Sequence, residues 1–181
     1  QLSGSYSPMR SEFKLKPAIN NKDAKYITAR MSPDQSLLAY VTEENGQHKV
    51  QVYSPKTKKN EVLLKQGLRT INKQNNASSP EIAWAKGNKL VIVYEKDDAI
   101  KLSIVEKLSA DKVGGKITMK RVLKGLQQVN TLDIADDGKM LIMSAVKKNQ
   151  NDIYLYDLGR AGLTQITNDI YDCLLYTSPS P

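Results

Sequence analysis

The stretch "SPDQSLLAYV", Ser32 to Val41, sets a tight polar turn against an almost unbroken apolar run. It decides the fold because it is one copy of three. Aligning "RMSPDQSLLAYV", "AWAKGNKLVIVY" and "DIADDGKMLIMS" puts Met31, Trp84 and Ile134 in one column, and Leu37, Leu90 and Met140 in another. The members of the first column lie 53 and 50 residues apart. Each copy continues with a polar stretch and an alternating strand, "HKVQVYS", "AIKLSIVE" and "NDIYLYDL". A short strand then closes each unit: "NEVLLK", "ITMKRVLK" and "LTQITN".

Each unit therefore reads as four short antiparallel strands. Leu37 to Val41, Leu90 to Tyr94 and Leu141 to Met143 are apolar on both faces, which suits a strand buried between two layers. The third strand alternates, with Val50 and Val52 against Lys49 and Gln51, so one side is wetter. Between the first two strands sits turn chemistry: Pro33–Asp34 pre-sets a φ, and Asp137–Gly138 supplies a positive one cheaply. A sheet of four strands cannot bury both faces alone, so such units stack as the blades of a β-propeller. The expected fold is all-β, a partial β-propeller of three four-stranded antiparallel blades near residues 26–66, 78–125 and 128–168. A β-sandwich also uses short alternating strands, but it does not explain one unit recurring at near-constant spacing. Blade-motif structural residues are Pro33, Asp34, Trp84, Asp137, Gly138, Asp152, Tyr154 and Tyr156. By their column, Met31, Trp84 and Ile134 are expected to be buried where blades meet. The polar segment "QGLRTINKQNNASSP", Gln66 to Pro80, and the shorter "KLSADKVGGK" read as insertions.

Composition is that of an ordinary soluble domain, 40% hydrophobic and 25% charged. No apolar run is long enough for a membrane-spanning helix. The net charge of +8 does not point to nucleic acid. It comes mostly from Lys scattered through turns and strand edges, where solvated ammonium groups discourage edge-to-edge pairing. The single cysteine, Cys173, excludes an internal disulfide.

The pieces "SPDQSLLAYV" and "ADDGKMLIMS", with "NDIYLYDL" followed by "LTQITNDIYD", resemble TolB-type, PD-repeat propellers over about Tyr26 to Asp172. The middle copy departs, with "AKGNK" where "SPDGK" is usual. Within that family the chain looks most like large bacterial proteins in which a metallopeptidase-like domain precedes the propeller. The resemblance implies a fragment: residues 1–25 a linker from a preceding domain, and residues 26–172 the first part of a propeller. It also implies a non-catalytic protein-binding scaffold in the periplasm or cell envelope. Its partners would be an envelope-associated protein and the remaining blades of its own chain, with no direct membrane span. The alternative is the propeller gate of a prolyl-oligopeptidase-like serine peptidase whose catalytic domain lies elsewhere.

Residues for chemistry are sparse. His48 is the lone histidine, in the expected hairpin "EENGQHKV", and is expected to be a solvated loop side chain. Without a second His there is no usual His-based zinc site, and no G-x-S-x-G elbow occurs. "KVGGKIT" lacks the first glycine and the Ser/Thr of a phosphate loop. The pairs Asp97–Asp98 and Asp136–Asp137 fall at turns, where Asp serves the backbone. No catalytic residue, metal or cofactor is assigned to this chain.

The last nine residues, "CLLYTSPSP", look unlike everything before them and resemble translated adapter read-through. Residues 173–181 are therefore expected to be a non-native tail. Deleting them should leave the melting temperature unchanged; a clear loss would show that the tail packs on the blades.

Overall fold

The computed structural model describes residue 19 and residues 22–67, 78–135 and 137–168. Most of the expected linker, most of the Gln66–Pro80 insertion, Asp136 and the tail 173–181 lie outside the described residues.

Among the described residues, twelve strands form three antiparallel meanders. Blade 1 comprises β1 (Lys25–Met31), β2 (Leu38–Glu44), β3 (Gln47–Ser54) and β4 (Lys59–Gly67). Blade 2 comprises β5 (Glu81–Ala85), β6 (Lys89–Lys96), β7 (Ala99–Glu106) and β8 (Lys116–Val122). Blade 3 comprises β9 (Gln128–Ile134), β10 (Met140–Lys147), β11 (Gln150–Asp157) and β12 (Gly162–Gln165). The hairpins between second and third strands are tight because both loop residues take positive φ. These are Asn45 and Gly46, Asp97 and Asp98, and Lys148 and Asn149. That geometry matches the twist of the flanking strands. The first strands of successive blades lie side by side, β1 next to β5 and β5 next to β9. They form the inner edge about which the blades fan out.

Strand pairing corrects the repeat alignment in blade 2. In blade 1 Ser32 pairs with Leu37, and in blade 3 Ala135 pairs with Met140, leaving four residues in each turn. In blade 2 Ala85 pairs with Lys89, leaving only three. The residue equivalent to Leu37 and Met140 is thus Lys89, not Leu90. Beyond the turn every blade 2 residue shifts by one, and with a period of two that exchanges the faces of the strand.

With this register the packing is uniform. Leu37, Ala39 and Val41 of blade 1 meet Ile82, Leu90 and Ile92 of blade 2 in one core. Val91 and Val93, on the other face of β6, meet Leu132, Leu141 and Met143 of blade 3 in a second core. Blade 2 turns one face of its second strand to blade 1 and the opposite face to blade 3.

The column of Met31, Trp84 and Ile134 survives, because it precedes the shortened turn, but its burial differs from the expectation. Trp84 and Ile134 are half-buried against blades 1 and 2 respectively. Met31 is 47% exposed, because among the described residues no blade lies before blade 1. Leu37, fully covered by blade 2, should lose about 2–5 kcal/mol on substitution by Ala, whereas Met31→Ala should cost under about 1 kcal/mol. Urea denaturation of the two variants checks the difference, and equal losses would mean that Met31 is covered.

Candidate functional site

In a four-stranded meander the first and third turns open at the same end. That end carries the turns 32–37, 85–89 and 135–140, together with the connections after β3, β7 and β11. Loops gathered at one end of rigid sheets are where propellers, like other β-architectures, place recognition surfaces.

Pro33 and Asp34 lie exposed in the first of these turns. The Asp34 carboxylate organises it. Oδ1 accepts from the Ser32 hydroxyl (2.7 Å), the Ser36 amide (3.0 Å) and the Ser36 hydroxyl (2.8 Å). Oδ2 accepts from the Asn88 side chain of blade 2 at 2.7 Å. These donors, the Ser32 hydroxyl foremost, hold the carboxyl well below the usual carboxylate range. The indole N–H of Trp84 donates to the Arg30 carbonyl across the same seam at 2.9 Å. Asp34 and Trp84, distant in sequence, thus latch blade 2 onto blade 1.

The insertion "KLSADKVGGK" closes this seam further. Leu108 and Val113 enter the core between blades 1 and 2. The Ala110 carbonyl accepts from the Ser54 and Thr57 hydroxyls at 2.6 and 3.2 Å, and Lys56 pairs with Asp111 at 2.9 Å. Outside it lies a cleft of about 540 Å³ edged by Lys59, Lys107, Lys112 and Lys116 with Glu61 and Asp111.

Asp137 and Gly138 stand at the matching place in blade 3. Asp137 accepts the Lys139 amide at 2.9 Å, and Gly138 carries the positive φ of 68° that Gln35 carries in blade 1. A Cβ at Gly138 would lie 3.9 Å from that of Ala85, so the turn rests closely on blade 2. Beside it is a second cleft of about 410 Å³ between blades 2 and 3.

Asp152, Tyr154 and Tyr156 are not gathered with these residues. They lie along β11 on the face toward blade 2, 1%, 1% and 3% exposed, with the two tyrosines in the core. The Asp152 carboxylate accepts from the Thr167 hydroxyl at 3.0 Å and the Gln165 amide at 2.9 Å. It ties down the chain that follows β12. Among the described residues no three His, Cys, Asp or Glu side chains cluster as metal ligands would.

Two residues depart from the sequence reading. His48 is not a loop side chain: it begins the buried part of β3, 4% exposed, opposite Gln66 and Glu43. Burial pushes its imidazole toward the neutral form. Glu81, on the inner strand β5, was not singled out. It is equivalent to Thr28 and Thr131, so an acid standing in an otherwise neutral column was the available signal. Burial pushes its carboxyl up to about 7, against the opposing pull of Arg30.

With its folded pKa raised, Glu81 binds a proton in the folded state that the unfolded chain has already released above about pH 4.5. Stability should therefore fall as pH rises from about 4.5 to 7. Glu81→Gln should flatten that slope and stabilise the protein at neutral pH by roughly 1–3 kcal/mol. Denaturation midpoints at pH 5 and pH 7.5 decide it (~2.5 pH units apart), and an unchanged slope in the variant would place the carboxylate in water.

Residues 22–173 match the family described as prolyl oligopeptidase, N-terminal β-propeller domain. No curated protein matches the chain in sequence. Among solved structures it is similar to TolB from Acinetobacter baumannii, with a TM-score of 0.55 and 15% identity over 83% of this chain and 34% of that one. The putative TolB from Agrobacterium tumefaciens gives 0.53 and 16% over 78% of this chain and 46% of that one. The AtxE2 isopeptidase gives 0.52 and 11% over 80% and 30%. At these identities the shared feature is the propeller fold, and the chain spans less than half the length of each.

Proposed function

The chain belongs to the prolyl oligopeptidase N-terminal β-propeller family, and from that premise we propose that it is the non-catalytic, protein-binding part of a larger propeller. The observation that carries the reading is the pair of uncovered end faces. On blade 1, Tyr26 and Met31 are 45% and 47% exposed. On blade 3, Ile142 and Leu155 stay half-buried on the face that a following blade would cover. Three blades do not close a ring, since propellers use about four to eight. Further blades of the same chain cover those faces, and the loops at the turn-bearing end hold a protein partner. Placement in the bacterial periplasm or cell envelope, and an envelope-associated partner, rest on the likeness to TolB-type propellers.

A second reading has its own support. The family match is to the N-terminal propeller of prolyl oligopeptidase. On this reading the blades gate access to a separate hydrolase domain. The full-length protein separates the two. Purified and assayed with chromogenic proline-containing peptides, it should show no hydrolysis sensitive to serine-directed inhibitors, and cross-linking in cells should capture an envelope protein. Inhibitor-sensitive cleavage would replace the scaffold with the gate.

A further inference from the structure

The two seams between blades differ at equivalent positions. Between blades 1 and 2, Leu37 is fully buried, Trp84 bridges to the Arg30 carbonyl, and the 107–116 connection feeds Leu108 and Val113 into the gap. Between blades 2 and 3, the corrected register puts Lys89 where Leu37 would be and Ile134 where Trp84 would be. The matching connection after β11 is short and brings only Leu158. Three apolar plugs are thus smaller, charged or missing. What they leave is the cleft of about 410 Å³, within the range that takes a ligand or a peptide side chain.

Its floor is apolar: Val91, Ile104, Met119, Ile134 and Leu158. Its lining carries two lysines, Lys89 and Lys139, against one carboxylate, Glu106. Lys89 is paired with Glu106 at 2.8 Å; the exposed Asp137 carboxylate, outside that lining, accepts the amide of its own turn and keeps its charge. Lys139 is exposed, and among the described residues its ammonium makes no ion pair. In a chain of net charge +8, that lining favours an anionic visitor.

We propose that this cleft docks an extended segment of a partner protein, seating a bulky apolar side chain flanked by carboxylates. The site deepens the protein-binding reading above and rests on it. The apolar side chain replaces the plug that blade 3 lacks, and a flanking carboxylate pairs with Lys139. Backbone approach is open because Gly138 presents no side chain at the lip.

The test uses the full-length protein with ¹³C-labelled methyl groups, titrated with N-acetyl-Asp-Leu-Asp-amide. Saturable shifts are expected at the methyls of Met119 and Leu158, with Leu37 and Leu108 of the closed seam silent. Ile134→Trp, which restores the missing plug, and Lys139→Glu should each weaken binding by about tenfold or more. Lys139 lies on an exposed turn, so its variant reports on the site even where Ile134→Trp disturbs packing. The proposal is overturned if N-acetyl-Lys-Leu-Lys-amide shifts the same methyls equally. It is also overturned if Lys139→Glu binds unchanged, or if no saturable shift occurs. Capture of an envelope partner that survives both variants would sink the cleft and leave the scaffold standing. Tripeptide binding by a protein that captures no such partner would fault the scaffold and not the cleft.

Discussion

A four-stranded meander whose middle strands are apolar on both faces has no stable existence with either face in water. In this chain β2, β6 and β10 all carry that double-faced pattern, so each blade requires a neighbour on both sides. The two cores meet this requirement for blade 2, which is covered front and back. They meet it only on one side for blades 1 and 3. Burial along the chain follows from that single constraint. Equivalent residues differ in exposure because of where their blade sits, and Met31 and Trp84 show this directly.

Holding the stack in register is the task of the turns at one end. A short turn has to satisfy its own backbone and meet the next blade, and blade 1 does both with one carboxylate. Asp34 accepts three hydrogen bonds from its own turn and one from Asn88 of the next blade. Blade 2 has no carboxylate in its turn, since Lys86, Gly87 and Asn88 are all that lie there. Its junction with blade 3 depends instead on apolar packing, on the Gly138 approach and on the bond from Arg121 to the Leu158 carbonyl at 2.7 Å. Unequal junctions in a repeated architecture are where selective binding surfaces arise, because the regular plug is absent while the flanking walls remain rigid.

Several elements were legible before any coordinates. The 53- and 50-residue spacing, the two-faced apolar runs and the turn dipeptides point to three four-stranded units, and three four-stranded antiparallel sheets are what form. The first-strand column held because it lies before the turns. The second-strand column failed in blade 2 because "AKGNK" is one residue shorter as a turn than it looks as text. His48 was misplaced for a related reason. "EENGQHKV" reads as a polar loop, yet Asn45 and Gly46 alone make the hairpin, so β3 already begins at Gln47.

Sequence by itself determined the repeat, the strand count and the residues that turn the chain, because those depend on local chemistry within a few residues of one another. Only the tertiary structure decided which face of each strand meets which blade, since that depends on turn length to a single residue. It alone put Asn88 on Asp34 and Trp84 on Arg30, contacts between residues 54 positions apart. It also settled that the "KLSADKVGGK" insertion seals one seam while the other stays open. The insertion is visible in the sequence, but the seam it fills is not, because that depends on which blade the connection folds against.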